Sequence, residues 1–380
     1  MKELIALLLI FLFSAMSIYS ISFVLPLYSS ELNLPLRLMG FAIPMSWIGG
    51  AIGGVVIGIL GDAWNRKYAL VLSVLLFSLP MLVNIFHPDL FELYLAWFLI
   101  GFGVNGDNGL SYVYAVELST PSNRGFVGSL MQGFYYLGAL VDAILAIIHN
   151  VFLYFLVMFI LSAIGIGLVL LIPQPKIKMP RFQPSKILKG NLGRVTLFGS
   201  LFAIGSFFFL VPLVSLADTF LSLSGVPLSD ISLSLSVMLF IGFIIYALAG
   251  RIADRVGRKK SSISFSSISI IAAILFLLFS SSHFVTLSSY PIFYLLILLA
   301  IGSAFFAFFG VWMGEIYPMD TRATGTNVTL FIGRLVGGGF GVSLVLLMPF
   351  GLGRDLGVSL IVSSVVVLLS SLGLPETVKH

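Results

Sequence analysis

Apolar windows of about 20 residues recur twelve times along this 380-residue chain, and few charges interrupt them. A helix of about 20 residues crosses a hydrocarbon core of roughly 30 Å. Backbone groups in lipid must be satisfied within their own segment, which favours helices. The windows lie near 4–28, 37–60, 68–86, 91–118, 125–148, 152–172, 194–221, 229–250, 261–281, 290–316, 324–348 and 355–374. The pattern predicts an all-α polytopic membrane protein with twelve transmembrane helices. Only 9% of residues are charged, against roughly 25% in soluble domains. The two-residue alternation of a β-barrel is absent. With no cysteine, disulfides, thiolate metal sites and a cysteine nucleophile are excluded. The opening stretch MKELIALLLIFLFSAMS has the look of a signal peptide. Its apolar character runs on to Leu27 with no small-residue cleavage site, so it is read as the first span.

Charge sets the orientation. All but three of the 20 Lys and Arg fall on the termini and on the connections that share their side. The exceptions are Arg37 and Arg354 on the opposite side and Arg334 within a span. Basic loops face the cytoplasm, so both termini are expected there. The same bias accounts for the net charge of +5 without invoking nucleic acid. The loop PQPKIKMPRFQPSKILKGNLG, basic and proline-rich, is read as a linker on the anionic inner surface of the bilayer. It divides the chain into residues 1–172, a linker 173–193 and residues 194–380.

The two halves repeat. GILGDAWNRK (Gly58–Lys67) follows span two and GRIADRVGRK (Gly250–Lys259) follows span eight. ELSTPSNRG (Glu117–Gly125) follows span four and EIYPMDTRA (Glu315–Ala323) follows span ten, with Glu and Arg seven apart in each. FVLPL at Phe23 is echoed by FLVPL at Phe209. Matched pairs in corresponding places predict two six-helix bundles related by an axis along the membrane normal, with a site between them near the midplane.

These residues resemble the major facilitator superfamily, whose signature between the second and third spans of a half is G-x-x-x-D-[RK]-x-G-R-[RK]. The second copy matches at Gly250, Asp254, Arg255, Gly257, Arg258 and Lys259. The first keeps Gly58, Asp62, Arg66 and Lys67, with Ala63 in place of a base and Asn65 in place of glycine. The tail LPETVKH is similar to the P-E-T ending of sugar-porter-type members. The resemblance implies alternating access, with Asp62 meeting the start of span eleven and Asp254 the start of span five. It implies two gating clusters on the cytoplasmic side, one of Glu117, Arg124 and Arg66, the other of Glu315, Arg322 and Arg258. Exposed pairs of roughly 0–1 kcal/mol suit a gate that forms and breaks each cycle. The thinner first copy implies that the gate depends more on the second.

Ionisable residues inside spans are functional candidates by default. Asp107, Asp142, Asp218 and Arg334 qualify. His87, His149, His283 and the terminal His380 lie outside the span interiors, which argues against a histidine relay. Arg334 lies about ten residues into span eleven, or roughly 15 Å at 1.5 Å per residue, and Asp107 has a similar depth in the other half. The Arg fork suits carboxylate or phosphate, and an Asp107–Arg334 pair that substrate breaks is expected. Gln132 shares a helix face with Tyr136, Tyr135 with Asp142, and Asn327 with Arg334. The glycines of GGGFG (Gly337–Gly341), and Gly50, Gly54 and Gly58, are expected to allow close helix approach.

NGDNGLS, Glu117, Arg124-Gly125 and MQGF together resemble the sugar-porter-like and phosphate:proton symporter branch. That resemblance places Asp107 on the acid of proton coupling or substrate contact, and Asn108 and Gln132 on substrate-contacting positions. Span one here has no acid and Pro212 stands near the expected phosphate-contacting acid. Arg334 is similar to the span-eleven Arg of organic-acid symporters, which turns the reading toward a small carboxylate. A charged Asp mid-helix costs roughly 2.5–3.5 kcal/mol. Protonating one with an ordinary pKa of about 3.9 at pH 7 costs roughly 4 kcal/mol. The two are close, as a proton-carrying Asp107 requires, and Asp142 is the second candidate.

The expected function is proton-coupled symport of a small anionic solute, an organic carboxylate or phosphate, by a monomer in the plasma membrane. No cofactor, metal site, nucleic-acid partner or enzyme motif is expected. Efflux of amphipathic compounds, sugar transport, and a non-transporting sensor on the same scaffold are the alternatives.

Overall fold

Because each apolar window closes its own backbone hydrogen bonds, the computed structural model is a succession of helices. It describes residues 2–118, 124–173, 184–280, 290–319 and 321–378. Side chains at 62, 63, 112, 113, 115–118, 124, 125 and 323 lie outside that description. The first half comprises α1 (Lys2–Tyr19), α2 (Leu25–Leu32), α3 (Leu36–Gly40), α4 (Ala42–Ala63), α5 (Arg66–Ser78), α6 (Leu90–Leu118), α7 (Arg124–Leu145) and α8 (Val151–Val169). After α9 (Pro184–Ile187), the second half comprises α10 (Gly190–Leu223), α11 (Leu228–Val256), α12 (Arg258–Phe279), α13 (Tyr290–Gly302), α14 (Phe309–Ile316), α15 (Arg322–Ile332), α16 (Val342–Leu347) and α17 (Leu352–Gly373).

Among the described residues, 11 helical stretches are long and apolar enough to cross a membrane. They coincide with eleven of the sequence windows to within a few residues. The remaining window, 91–118, is the 29-residue helix α6, which holds Asp107.

Several helical stretches change pitch along their length, three of them at a central cavity or its supports. A 3-10 turn at Ser20–Phe23 follows α1, and another at Ser303–Phe306 follows α13. Between α15 and α16 the chain runs as a π-helix over Gly333–Gly341, with Arg334 near its start. π-Helical turns are rare and often mark functional sites. The glycines there pack as expected: a Cβ at Gly337 would stand 2.3 Å from the Ile204 carbonyl oxygen, and one at Gly338 3.0 Å from Trp47. They let this helix lie against α10 on one side and α4 on the other.

Helices α4 and α6 pack closely through glycine, at Gly50 as expected but not at Gly58. Gly58 has open space before it, whereas a Cβ at Gly53 would stand 2.1 Å from the Phe102 carbonyl oxygen. One at Gly101 would stand 1.7 Å from that of Ser46. Backbone cannot yield as a side chain can, so overpacking costs at least about 1–3 kcal/mol here. Gly101→Ala is therefore expected to lower the melting temperature in detergent and the monodisperse yield by size-exclusion chromatography. Gly58→Ala, its control, leaves both near wild type.

Candidate solute site and gate

Helices from both halves line a partly open cavity, with about 480 Å³ of space that includes its open side. From the first half Tyr19, Trp47, Gln132, Tyr135 and Tyr136 reach it; from the second, Phe207, Tyr246, Phe306 and Arg334 do. Aliphatic side chains of α10 complete the wall. Three of the residues expected from sequence to contact substrate, Arg334, Gln132 and Tyr136, thus share one cavity. Asn327 does not: it is exposed on α15.

The wall is built by helix pitch and tyrosine chemistry. Gln132 and Tyr136 lie one turn apart on α7. Tyr136 packs against Tyr246 with centroids 5.0 Å apart, and its hydroxyl hydrogen-bonds with Ser303 Oγ at 2.7 Å. Tyr246 donates to the Ser303 carbonyl at 2.9 Å. The 3-10 turn after α13 thus anchors two ring walls. Asn108 donates its amide N–H to the Tyr135 hydroxyl, so it supports the wall from behind. Trp47 packs beside Tyr19 and Tyr135, with centroids 6.2 and 6.5 Å away, and its centroid is 5.2 Å from that of Phe207. The Arg334 guanidinium carbon lies 5.9 Å from the Phe207 centroid. A Cβ at Gly54 would come within 3.1 Å of Arg334 Nη1, so glycine there makes room for the guanidinium.

Asp107 corrects one expectation. It is fully buried and does not line the cavity. Ser111 Oγ donates to its Oδ1 at 2.7 Å, and its Oδ2 has no hydrogen-bond partner among the described residues. The expected pair with Arg334 is accordingly not among the contacts of the described residues. Neither carboxylate oxygen of the buried Asp142 has a hydrogen-bond partner among the described residues. Tyr154 lies within electrostatic reach of both Asp142 and Asp218. Asp218 lines a second cavity, of about 530 Å³, with His149, Ser222 and Ser232.

Contacts between the halves flank the central cavity at both ends. At one end Arg37 Nε donates to the Leu346 carbonyl at 2.7 Å. At the other, Arg251 of α11 lies over the Phe126 ring of α7, 4.2 Å from its centroid. Sequence reasoning missed Arg251, since nothing set it apart from its basic neighbours.

The charged cluster at the second motif copy is well formed. Arg258 pairs with Asp254 at 2.6 Å and with Glu315 at 2.9 Å. The expected contact of Asp254 with the start of span five falls at side chains outside the described residues. Arg255 and Arg322 are exposed, and the recorded pairs of this cluster do not include them. In the first copy Arg66 is buried, while the side chains of Asp62, Glu117 and Arg124 lie outside the described residues.

The two copies cap their following helix differently. In the first, Asn65 caps α5 itself, accepting from the Lys67 and Tyr68 N–H groups at 2.9 and 3.3 Å. In the second, Gly257 at φ +108° has no side chain to offer. The cap comes from the tail: Glu376 accepts from the Arg258 and Lys259 N–H groups at 2.8 and 3.1 Å. A Cβ on Gly257 would stand 2.5 Å from Glu376 Oε2. Thr377 also donates its hydroxyl to Glu315, so tail and motif form one network.

Partial burial pushes the Glu376 carboxyl up. The N–H groups of Val378, Arg258, Thr377 and Lys259 outweigh that and hold it below the ordinary glutamate value. A depressed folded pKa gives stability that is present above the unfolded value of 4.5 and lost as pH falls through the lower folded value. Glu376→Gln is expected to remove that acid-side loss from the pH profile of the melting temperature. Glu376→Ala should cost about 0.5–2 kcal/mol as a lost N-cap, toward the lower end because the carboxylate is largely solvated.

Apolar helices of membrane-spanning length around a central cavity, with charged motifs at a helix end, are the architecture of a membrane transporter. The Major Facilitator Superfamily profile matches residues 7–342, and the chain belongs to that family. It is similar to the putative niacin/nicotinamide transporter NiaP of Bacillus subtilis, 29% identical over 135 residues, 36% of this chain and 34% of that one. The chain therefore spans about a third of that relative's length. It is 24% identical to a probable 4-methylmuconolactone transporter of Cupriavidus pinatubonensis, covering 94% of this chain and 86% of the relative. In fold it is similar to the crystal structure of a D-xylose-proton symporter, with TM-score 0.75, 18% identity, and 99% and 98% of the two chains covered.

Proposed function

We propose that this transporter is a proton-coupled symporter that imports a small anionic solute, an organic carboxylate or phosphate, by alternating access. It does so as a monomer with twelve spans, both termini cytoplasmic, and bundles 1–172 and 194–380 joined by the linker 173–193. Arg334 and Gln132 contact the solute, with Tyr136 and, through Tyr135, Asn108 shaping its seat. Asp107 carries the proton, with Asp142 as the second carrier. The observation that carries this reading is Arg334, a guanidinium on the wall of a cavity between the halves. A D-xylose-proton symporter among the fold's neighbours supports the coupling ion.

The test is uptake into proteoliposomes under an imposed pH gradient. Accumulation that tracks the gradient is expected, and gradient-independent uptake would overturn proton coupling. The largely aromatic wall also favours efflux of amphipathic compounds as a second reading; broad substrate range with outward proton antiport is its mark. The gate rests more on the second motif copy, where Arg258 holds two acids. Asp254→Asn is therefore expected to slow transport more than Asp62→Asn, and equal rates would remove that asymmetry.

A further inference from the structure

We propose that the solute is a planar aromatic or heteroaromatic monocarboxylate, its ring held among the aromatic side chains and its carboxylate on Arg334. This rests on the reading above that the solute is an anion. It adds the shape and chemistry of the rest of the molecule.

The first observation is what the tyrosines are doing. Four line the cavity, and the hydroxyls of Tyr135, Tyr136 and Tyr246 are engaged by Asn108 and Ser303. Tyr136 and Tyr246 spend their O–H donors within the protein and Tyr135 accepts from Asn108, so their rings are the larger part of what they offer a ligand. Polar recognition is left chiefly to Arg334, Gln132 and the hydroxyls of Tyr19 and Tyr135. A sugar needs several convergent donors and acceptors, because each hydroxyl taken from water must be repaid by a partner. Inorganic phosphate, polar on every face, meets the same shortage.

The second observation is ring geometry. Trp47 and Tyr135 are tilted by only 34°, with centroids 6.5 Å apart, and Phe207 closes on Trp47 from the other half. Tyr19 presents itself edge-on to Tyr135 at 84°. The wall thus offers both ring faces and ring edges, the two arrangements an aromatic guest prefers. Arg334 sits beside the Phe207 ring. A charge at the border of an aromatic surface matches a flat molecule with its carboxylate in the ring plane. A puckered ring of the same size presents no π-face and fits such a surface less closely.

The test measures affinities of the purified full-length chain for benzoate, cyclohexanecarboxylate, benzamide, inorganic phosphate and D-xylose, by isothermal calorimetry in detergent. Benzoate is expected to bind on the order of tenfold more tightly than cyclohexanecarboxylate. It should bind at least about tenfold more tightly than benzamide, which lacks the charge. Phe207→Leu keeps an apolar side chain but removes a ring, and should compress the benzoate-to-cyclohexanecarboxylate ratio toward unity. Trp47→Leu is the second variant should the first not fold.

Equal affinities for the two ring acids, both above benzamide, overturn the aromatic assignment and leave the anion reading standing. Phosphate as the tightest ligand does the same. Benzamide equal to benzoate overturns the anion reading and the inference with it. Binding of xylose alone, or of none of the five, overturns both.

Discussion

In proteoliposomes, Asp107→Asn is expected to hold solute at equal concentrations inside and out under a pH gradient that drives wild-type accumulation. One coupled proton supplies about 1.36 kcal/mol, or roughly tenfold accumulation, per pH unit. A two-unit gradient thus separates wild type from variant by up to about 100-fold. Exchange of labelled for unlabelled solute should persist, because asparagine resembles the protonated acid and Oδ1 can still accept from Ser111. The new amide N–H groups lie in a buried site where Asp107 Oδ2 has no hydrogen-bond partner among the described residues. An unsatisfied group there costs about 1–3 kcal/mol, so a modest fall in melting temperature accompanies the change. Retained gradient-driven accumulation in the variant would remove Asp107 from the coupling. Loss of exchange as well would assign it to binding or folding instead.

Which parts of this arrangement could be read from residues follows from what each part depends on. Helix windows depend on local hydropathy, and they emerge to within a few residues. Arg334 stands out because a lone charge in an apolar helix has few reasons to exist. The asymmetry of Asp107 is also legible: the corresponding residue in the second half is Phe305. It packs edge-on against Phe202 and Phe209 in an apolar cluster. The aromatic wall is not legible, because phenylalanine and tyrosine occur on every helix face and only packing decides which rings meet. The same limit hid the separation of Asp107 from Arg334, since depth along a helix does not say which side chains meet. Substituting Asn65 for glycine reads as a lost motif position, yet it exchanges a cap borrowed from the tail for one made in place. Only Gly257, with Glu376 in the space a side chain would fill, reveals that equivalence.

Arg334→Gln should weaken solute binding far more than any other single change to the cavity. Removing one member of a buried, hydrogen-bonded charge pair costs about 2–5 kcal/mol. That corresponds to at least about 30-fold in Kd, measured by calorimetry on the purified protein. Arg334 also holds contacts within the protein, so the melting temperature of the ligand-free variant is measured alongside. A lower affinity at an unchanged melting temperature therefore separates ligand recognition from packing. Arg334→Lys sharpens the test. It keeps the charge but loses the planar fork, and a shorter point charge cannot hold a carboxylate bidentately beside the Phe207 ring. Its affinity should fall between those of wild type and Arg334→Gln. If both variants bound solute within about threefold of wild type, Arg334 would be a structural cation. The π-helical turn that carries it would then need another purpose. If lysine restored full affinity, charge alone would be recognised, and the ligand would be compact and symmetric rather than flat.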